Sequence, residues 1–111
     1  MTTGTDGDRA AVRGSVDYSS YLRLPELLRL QCPLSDPREH DELLFIVIHQ
    51  VYELWFKQML WEIDAIRRQF SAGDLFAAIS TLKRTRTIVK TLVGQLDVLE
   101  TMTPVSFEGF R

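Results

Sequence analysis

The stretch "FIVIHQVYELWFKQMLWEI", Phe45 to Ile63, decides how this chain is read. Neither proline nor glycine interrupts it, and its apolar residues recur at steps of three and four, the spacing of a helix. One stripe runs through Leu44, Ile48, Val51, Trp55, Met59, Ile63, Ile66 and Phe70. A second, through Phe45, His49, Tyr52, Phe56 and Leu60, is displaced by roughly 100° around the axis. Polar side chains keep a narrow strip made of Gln50, Glu53, Lys57, Gln58, Glu62 and Asp64. A helix apolar in so many directions is buried on several sides. One partner helix from the same chain covers one stripe. Further copies of the chain, or further polypeptide, are expected to cover the other.

Working outward, "SDPRE" upstream predicts a helix start: Asp36 as N-cap, Pro37 at the first position and Glu39 completing a capping box. A helix from about Pro37 to Phe70 would be roughly 50 Å long at 1.5 Å per residue, with the alternative that it begins nearer His40. Downstream, "SAGD" predicts a break, with Gly73 free to turn left-handed and Ser71 or Asp74 available as a cap. A second helix then runs from Asp74 to about Met102. Its apolar positions Leu75, Ile79, Leu82, Val89, Val93 and Leu96 alternate steps of four and three, with Arg86 in the one polar slot, and predict the seam that packs on the first helix. Pro104 ends it.

Near the start, "DYSSYLRLPELLRLQ" predicts a short helix with Pro25 in its first turn, carrying Leu27, Leu28 and Leu30. Residues 1–16 are small, polar and glycine-containing, and are expected to be disordered. The fold class is therefore all-α: a short N-terminal helix plus two long antiparallel helices, part of a larger helical-bundle assembly.

Composition excludes several classes. The chain has 111 residues, 45% hydrophobic and 25% charged, with a formal net charge of -2. That balance gives no basic field to hold nucleic acid or an anionic membrane. The apolar run Leu43 to Ile48 is far too short for a membrane span, and the first residues carry no apolar core of a secretory signal. The single cysteine, Cys32, excludes an intrachain disulfide and suits a reducing compartment, so a cytoplasmic location is expected.

Spacing alone leaves the chemistry open. His49 falls one turn after Phe45 and one turn before Glu53, and such a histidine is more often a core residue satisfied by Glu53 or a backbone group than a ligand. A general-base or hydrogen-bonding role in an aromatic pocket stays open. The helical di-iron pattern needs Glu three residues before His, where this chain has Ile46, and a zinc site lacks cysteine partners. Tyr18 and Tyr21, Trp55 and Trp61 read as packing or interface groups. Lys83, Arg84 and Arg86 read as a solvated face, with Arg86 placed to pair with a buried acid.

The order of "YSSYL", "HDELLFIVIHQVYELWFKQMLWEID" and "LETMTPVSFEGFR" resembles the N-terminal part of the tryptophan 2,3-dioxygenase family, from about Asp17 to Arg111. The resemblance implies an all-helical haem protein, assembled as a dimer or tetramer, that inserts both atoms of O2 across the indole C2–C3 bond of L-tryptophan to give N-formylkynurenine, the first step of the kynurenine pathway. It assigns Phe45 to the indole wall, His49 to the distal side of the haem and the indole N–H, and Arg111 to the substrate carboxylate with Phe107 lining the pocket. It also sends Tyr18, Tyr21 and Leu22 into a neighbouring subunit's site. The chemistry suits those residue types: an indole needs flat apolar walls and one acceptor, and a guanidinium grips a carboxylate with two parallel bonds. The family's iron ligand is a histidine from its C-terminal part. Nothing in this sequence matches it, so the haem-binding residues stay unassigned and this chain alone is expected not to hold haem in the family's manner. The alternatives are a truncated or split, non-catalytic helical protein that associates with itself, and a relative acting on another aromatic amino acid.

Overall fold

The structure is a computed structural model that describes residues 16–102 and 108–109. Among the described residues there are four helices and no strand, as the periodicity predicts. Met1–Cys32 and Pro33–Arg111 form two separate compact units. The expected disorder of residues 1–16 falls, apart from Val16, outside the described residues.

In the first unit, helix α1 spans Tyr18–Leu22. Asp17 caps it: its carboxylate accepts from the Ser20 amide at 2.8 Å while Ser20 Oγ accepts from the Asp17 amide at 2.9 Å. Donation from the Ser20 amide, and then from the Ser20 side chain, holds the Asp17 carboxyl below its ordinary range. Arg23 then turns left-handed at φ 57° and starts α2, Leu24–Leu27, with Pro25 in its first turn. Two short helices therefore stand where the leucine pattern predicts one, and Leu28 and Leu30 lie beyond the helix they were expected to ride on.

The second unit is a helical hairpin of α3, Glu42–Ser71, and α4, Leu75–Leu99. The "SAGD" turn behaves as read. Gly73 takes φ 75° and donates to the Phe70 carbonyl at 3.0 Å, Asp74 donates to the Gln69 carbonyl at 2.9 Å, and the Asp74 carboxylate caps α4 at Ala77. Pairings of Gln69 with Thr81, Glu62 with Arg84 and Tyr52 with Leu92 step in opposite directions along the two helices, which makes them antiparallel.

The start of α3 corrects the sequence reading. Asp36 caps nothing there, because the helix begins at Glu42 and Asp41 stands at its cap without a side-chain bond. Glu42 explains the shift. Its buried carboxylate accepts from the amides of Leu34 at 2.8 Å and Ser35 at 3.0 Å and from the Ser35 hydroxyl at 2.6 Å. Ser35 Oγ in turn accepts from the Glu39 amide at 3.0 Å. The approach chain is thus bent back onto the first turn of α3, where a negative charge also suits the helix dipole. Donation from the Leu34 amide and then the Ser35 hydroxyl holds the Glu42 carboxyl below the usual carboxylate range.

The packed seam of α4 is a second correction. Leu75, Ile79, Leu82, Val89, Val93 and Leu96 all point outward, Val93 being 59% exposed. The seam that meets α3 is instead Ala78, Thr81, Thr85, Ile88, Leu92, Gln95 and Leu99, which are buried or half-buried. Its most buried residues are small or β-branched: Ala78 is 0% exposed and Ile88 6%, and on α3 Ile48 is 5% exposed. Small and β-branched side chains let the two backbones approach closely, and the hydroxyls of Thr81 and Thr85 are satisfied by the carbonyls one turn back.

On α3 the first apolar stripe is the one turned inward, with Leu44, Val51, Trp55, Met59 and Ile66 half-buried around Ile48. Ile63 and Phe70, at its edge, are exposed. Glu62 was assigned to the polar strip but is buried, bonded by Gln58 and approached by Arg84 at 3.6 Å. The cation that meets a buried acid is therefore Arg84, not Arg86, because the outer seam carries Arg86 away from α3. The opposite flank of α3 shows apolar surface the stripe pattern did not include: Leu43, Val47, Leu54 and Trp61, the last 70% exposed.

Candidate functional site

Along one flank of α3, Phe45, His49, Tyr52 and Phe56 stand at steps of four, three and four residues, so helical geometry alone brings their rings into a ladder. The Phe45 and His49 ring centroids are 4.2 Å apart with the planes tilted by 34°. Tyr52 meets His49 edge-on at 6.3 Å and lies nearly parallel to Phe56 at 6.1 Å. The lower part of the ladder is tied to the hairpin: Tyr52 donates its hydroxyl to the Leu92 carbonyl of α4 at 3.0 Å, bridging the two helices.

His49 is exposed on this flank, so it is not the core histidine that spacing favours. Its Nδ1 lies 2.7 Å from the Phe45 carbonyl oxygen, one turn back. The group that satisfies it is thus backbone, not the Glu53 carboxylate. Phe45 is half-buried and supplies a flat wall beside the imidazole. Together they offer a flat apolar surface beside one imidazole.

Of the residues named from sequence, the structure brings Phe45 and His49 together. Tyr18, Tyr21 and Leu22 share α1 in the first unit and are all exposed, the tyrosines at 76% and 75%. Phe107 and Arg111 lie outside the described residues. The roles of Tyr52 and Glu42 are poorly marked in the sequence. Tyr52 belongs to an apolar stripe in which an anchoring hydroxyl looks like any other aromatic, and only the "HDE" run of His40, Asp41 and Glu42 hints that Glu42 is special.

The haem that the resemblance implies would need a side chain able to ligate iron. The chain has two histidines, His40 and His49. His40 is exposed in the turn before α3, and His49 is held edge-on within the aromatic ladder. Among the described residues no three of His, Cys, Asp and Glu gather into a metal site. The described residues therefore offer an aromatic flank and no cluster of groups placed to hold a metal ion. No helix among them is long and apolar enough to cross a membrane.

Comparison with known proteins agrees with the sequence resemblance. The profile of the family described as tryptophan 2,3-dioxygenase matches residues 3–111. The chain is 56% identical over 97 residues to a protein named tryptophan 2,3-dioxygenase from Herpetosiphon aurantiacus, covering 87% of this chain and 37% of that one. It is 53% identical over 104 residues to a protein of the same name from Anaeromyxobacter sp. (strain K), covering 94% and 38%. To the Mus musculus protein of that name it is 42% identical over 114 residues, covering 95% and 28%. The chain thus spans less than two fifths of the length of these relatives.

Proposed function

The chain belongs to the tryptophan 2,3-dioxygenase family, and on that premise we propose that it forms the substrate-facing wall of a haem-dependent enzyme converting L-tryptophan and O2 to N-formylkynurenine. The observation that carries this is the pairing of Phe45 and His49 on one flank of α3, a flat apolar surface beside a single imidazole. Phe45 packs on the indole and excludes water from one face. His49 accepts the indole N–H through Nε2 and fixes which edge of the ring is presented. Arg111 grips the substrate carboxylate, beside Phe107. The oxygen chemistry belongs to the haem, whose ligand comes from polypeptide beyond these helices. Tyr18, Tyr21 and Leu22, exposed on α1, reach the site of a neighbouring copy in a homo-oligomer. The exposed thiol of Cys32 suits a reducing, cytoplasmic setting.

The test is reconstitution. The 111-residue chain is combined with the remaining C-terminal part of the Anaeromyxobacter relative and haemin, and N-formylkynurenine is followed by absorbance. Turnover is expected only with both polypeptides. His49→Ala should lower kcat/KM roughly 5- to 150-fold, the range for one unmade hydrogen bond of about 1–3 kcal/mol. A complex that takes up haem normally yet leaves tryptophan untouched would overturn the proposal.

A further inference from the structure

Two glycines of this chain serve different needs. Gly73 turns left-handed, as a helix end requires. Gly109 answers a want of space. The half-buried Glu39 side chain occupies the place that a Cβ at position 109 would take, its Cδ 2.5 Å and its Cγ 2.6 Å from such an atom. Non-bonded carbons settle at about 3.5–4.0 Å, so only a residue without a Cβ fits against Glu39 in this way. Hydrogen bonds fix Glu39 from behind. Its amide donates to Ser35 Oγ at 3.0 Å, and that hydroxyl donates to the buried Glu42 carboxylate at 2.6 Å. Its carbonyl accepts from the Glu42 amide at 3.3 Å. The Glu39 backbone is thus tied to the first turn of α3 on both sides of its Cα.

We infer that Glu39 is a positioning residue: with Gly109 it seats the C-terminal segment on the mouth of α3 and so sets where Arg111, two residues on, can act. The antiparallel course of α4 returns the chain to that end of α3. Phe45 belongs to the same first turn, its amide donating to the Asp41 carbonyl at 3.0 Å. Two residues of chain reach at most about 7 Å, so a fixed Gly109 limits the ground that the Arg111 backbone covers. The seat rests on this chain alone. The positioning half rests on the proposed function, in which Arg111 holds the substrate carboxylate.

The seat is read by nuclear Overhauser contacts in the 13C,15N-labelled chain. Cross-peaks are expected between the Glu39 γ protons and the Gly109 α protons; their absence while backbone signals report a helical α3 would overturn the inference. If α3 does not hold in the lone chain, the two-part complex assembled without haem is measured in the same way and judged by the same outcomes. Positioning is read in the reconstituted enzyme. Gly109→Ala pushes aside a side chain that can rotate, so the fold is kept and the seat is lost. It should raise KM for L-tryptophan about tenfold with kcat nearly unchanged, within the ~100-fold that a misplaced positioning group can cost. The inhibition constant of indole, which has no carboxylate, should not move. Glu39→Ala should raise the same KM, and the double variant should be no worse than Glu39→Ala alone, because nothing is left for the new methyl to meet. Glu39→Gln keeps Cγ and Cδ and should behave as the parent. A tryptophan KM unmoved by Gly109→Ala, a parallel rise for indole, or additive effects in the double variant would refute the positioning role. An unsubstituted complex that takes up haem without turnover would sink the proposed function, while the cross-peaks would still decide the seat.

Discussion

Helix α4 carries two seams with the same alternating spacing, and they behave oppositely. The inner one, centred on Ala78, Thr81, Thr85 and Ile88, is the less apolar and packs on α3. The outer one, Leu75 through Leu96, is a better hydrophobic heptad and points away from the hairpin. The difference teaches that hydrophobicity ranks the faces a protein will bury but does not say against what. Within the hairpin, close backbone approach over small residues and cross-helix polar ties decide the pairing. Thr81 Oγ1 reaches Gln69 at 3.0 Å, Arg84 reaches the buried Glu62, and Tyr52 reaches Leu92. Those ties fix one register, which a seam of leucine and valine alone would leave free to slide. The proposed function gives the outer seam a use, since relatives have well over half their length beyond the matched region.

The most damaging way to probe the comparison is at the centre of the inner seam. Ile88→Ala removes buried methyl groups where the core holds few others, and is expected to cost about 2 kcal/mol or somewhat more. Urea unfolding followed by circular dichroism measures it. Ala78→Leu should cost a similar amount, about 1–3 kcal/mol, by forcing the helices apart. If neither substitution moves the unfolding midpoint, the inner seam is not what holds the hairpin.

A more local effect is expected at the mouth of α3. Glu42 has a folded-state pKa below its unfolded value, so its contribution is fully present above the ordinary carboxylate range and is lost as pH falls through the lowered value. Protection of the Leu34 and Ser35 amides from hydrogen exchange should therefore hold steady from neutral pH down to about the unfolded carboxylate pKa of ~4.3, and fall below it. Glu42→Gln should weaken that protection at neutral pH and remove its acid-dependent loss. An acid-dependent loss unchanged in the Gln variant would assign the clasp to another group.

These two sites also show what the sequence could reveal. The long helices and the "SAGD" turn were legible because their causes are local: period, a left-handed glycine and a capping aspartate. The choice of seam was not, because Leu82 and Ile88 both satisfy a three-four pattern and only the neighbouring helix distinguishes them. The Asp36 cap failed for a related reason, since Glu42 holds the amides of Leu34 and Ser35 and the Ser35 hydroxyl takes the Glu39 amide that Asp36 was expected to cap. At the candidate site the spacing placed Phe45 beside His49. It could not show that the ring would find the Phe45 carbonyl in preference to Glu53, a choice among acceptors equally close along the helix.

Tyr52→Phe tests one tie between the halves of the comparison. It removes the hydroxyl that Leu92 accepts and leaves the ring ladder intact, and should cost about 0.5–1.5 kcal/mol in the same unfolding experiment.

The smallest expected effect is the sharpest. Val89 adjoins Ile88 in sequence but belongs to the outer seam, 41% exposed. Val89→Thr keeps the branched shape and replaces a methyl by a hydroxyl that water can reach, so hairpin stability should change by less than about 0.5 kcal/mol. The same substitution should impair assembly with the C-terminal part in the reconstitution, because there the new hydroxyl would be buried without a partner. A loss in the lone hairpin as large as that of Ile88→Ala would mean that the outer seam is packed within the chain after all, and the contrast between the two faces of α4 would disappear.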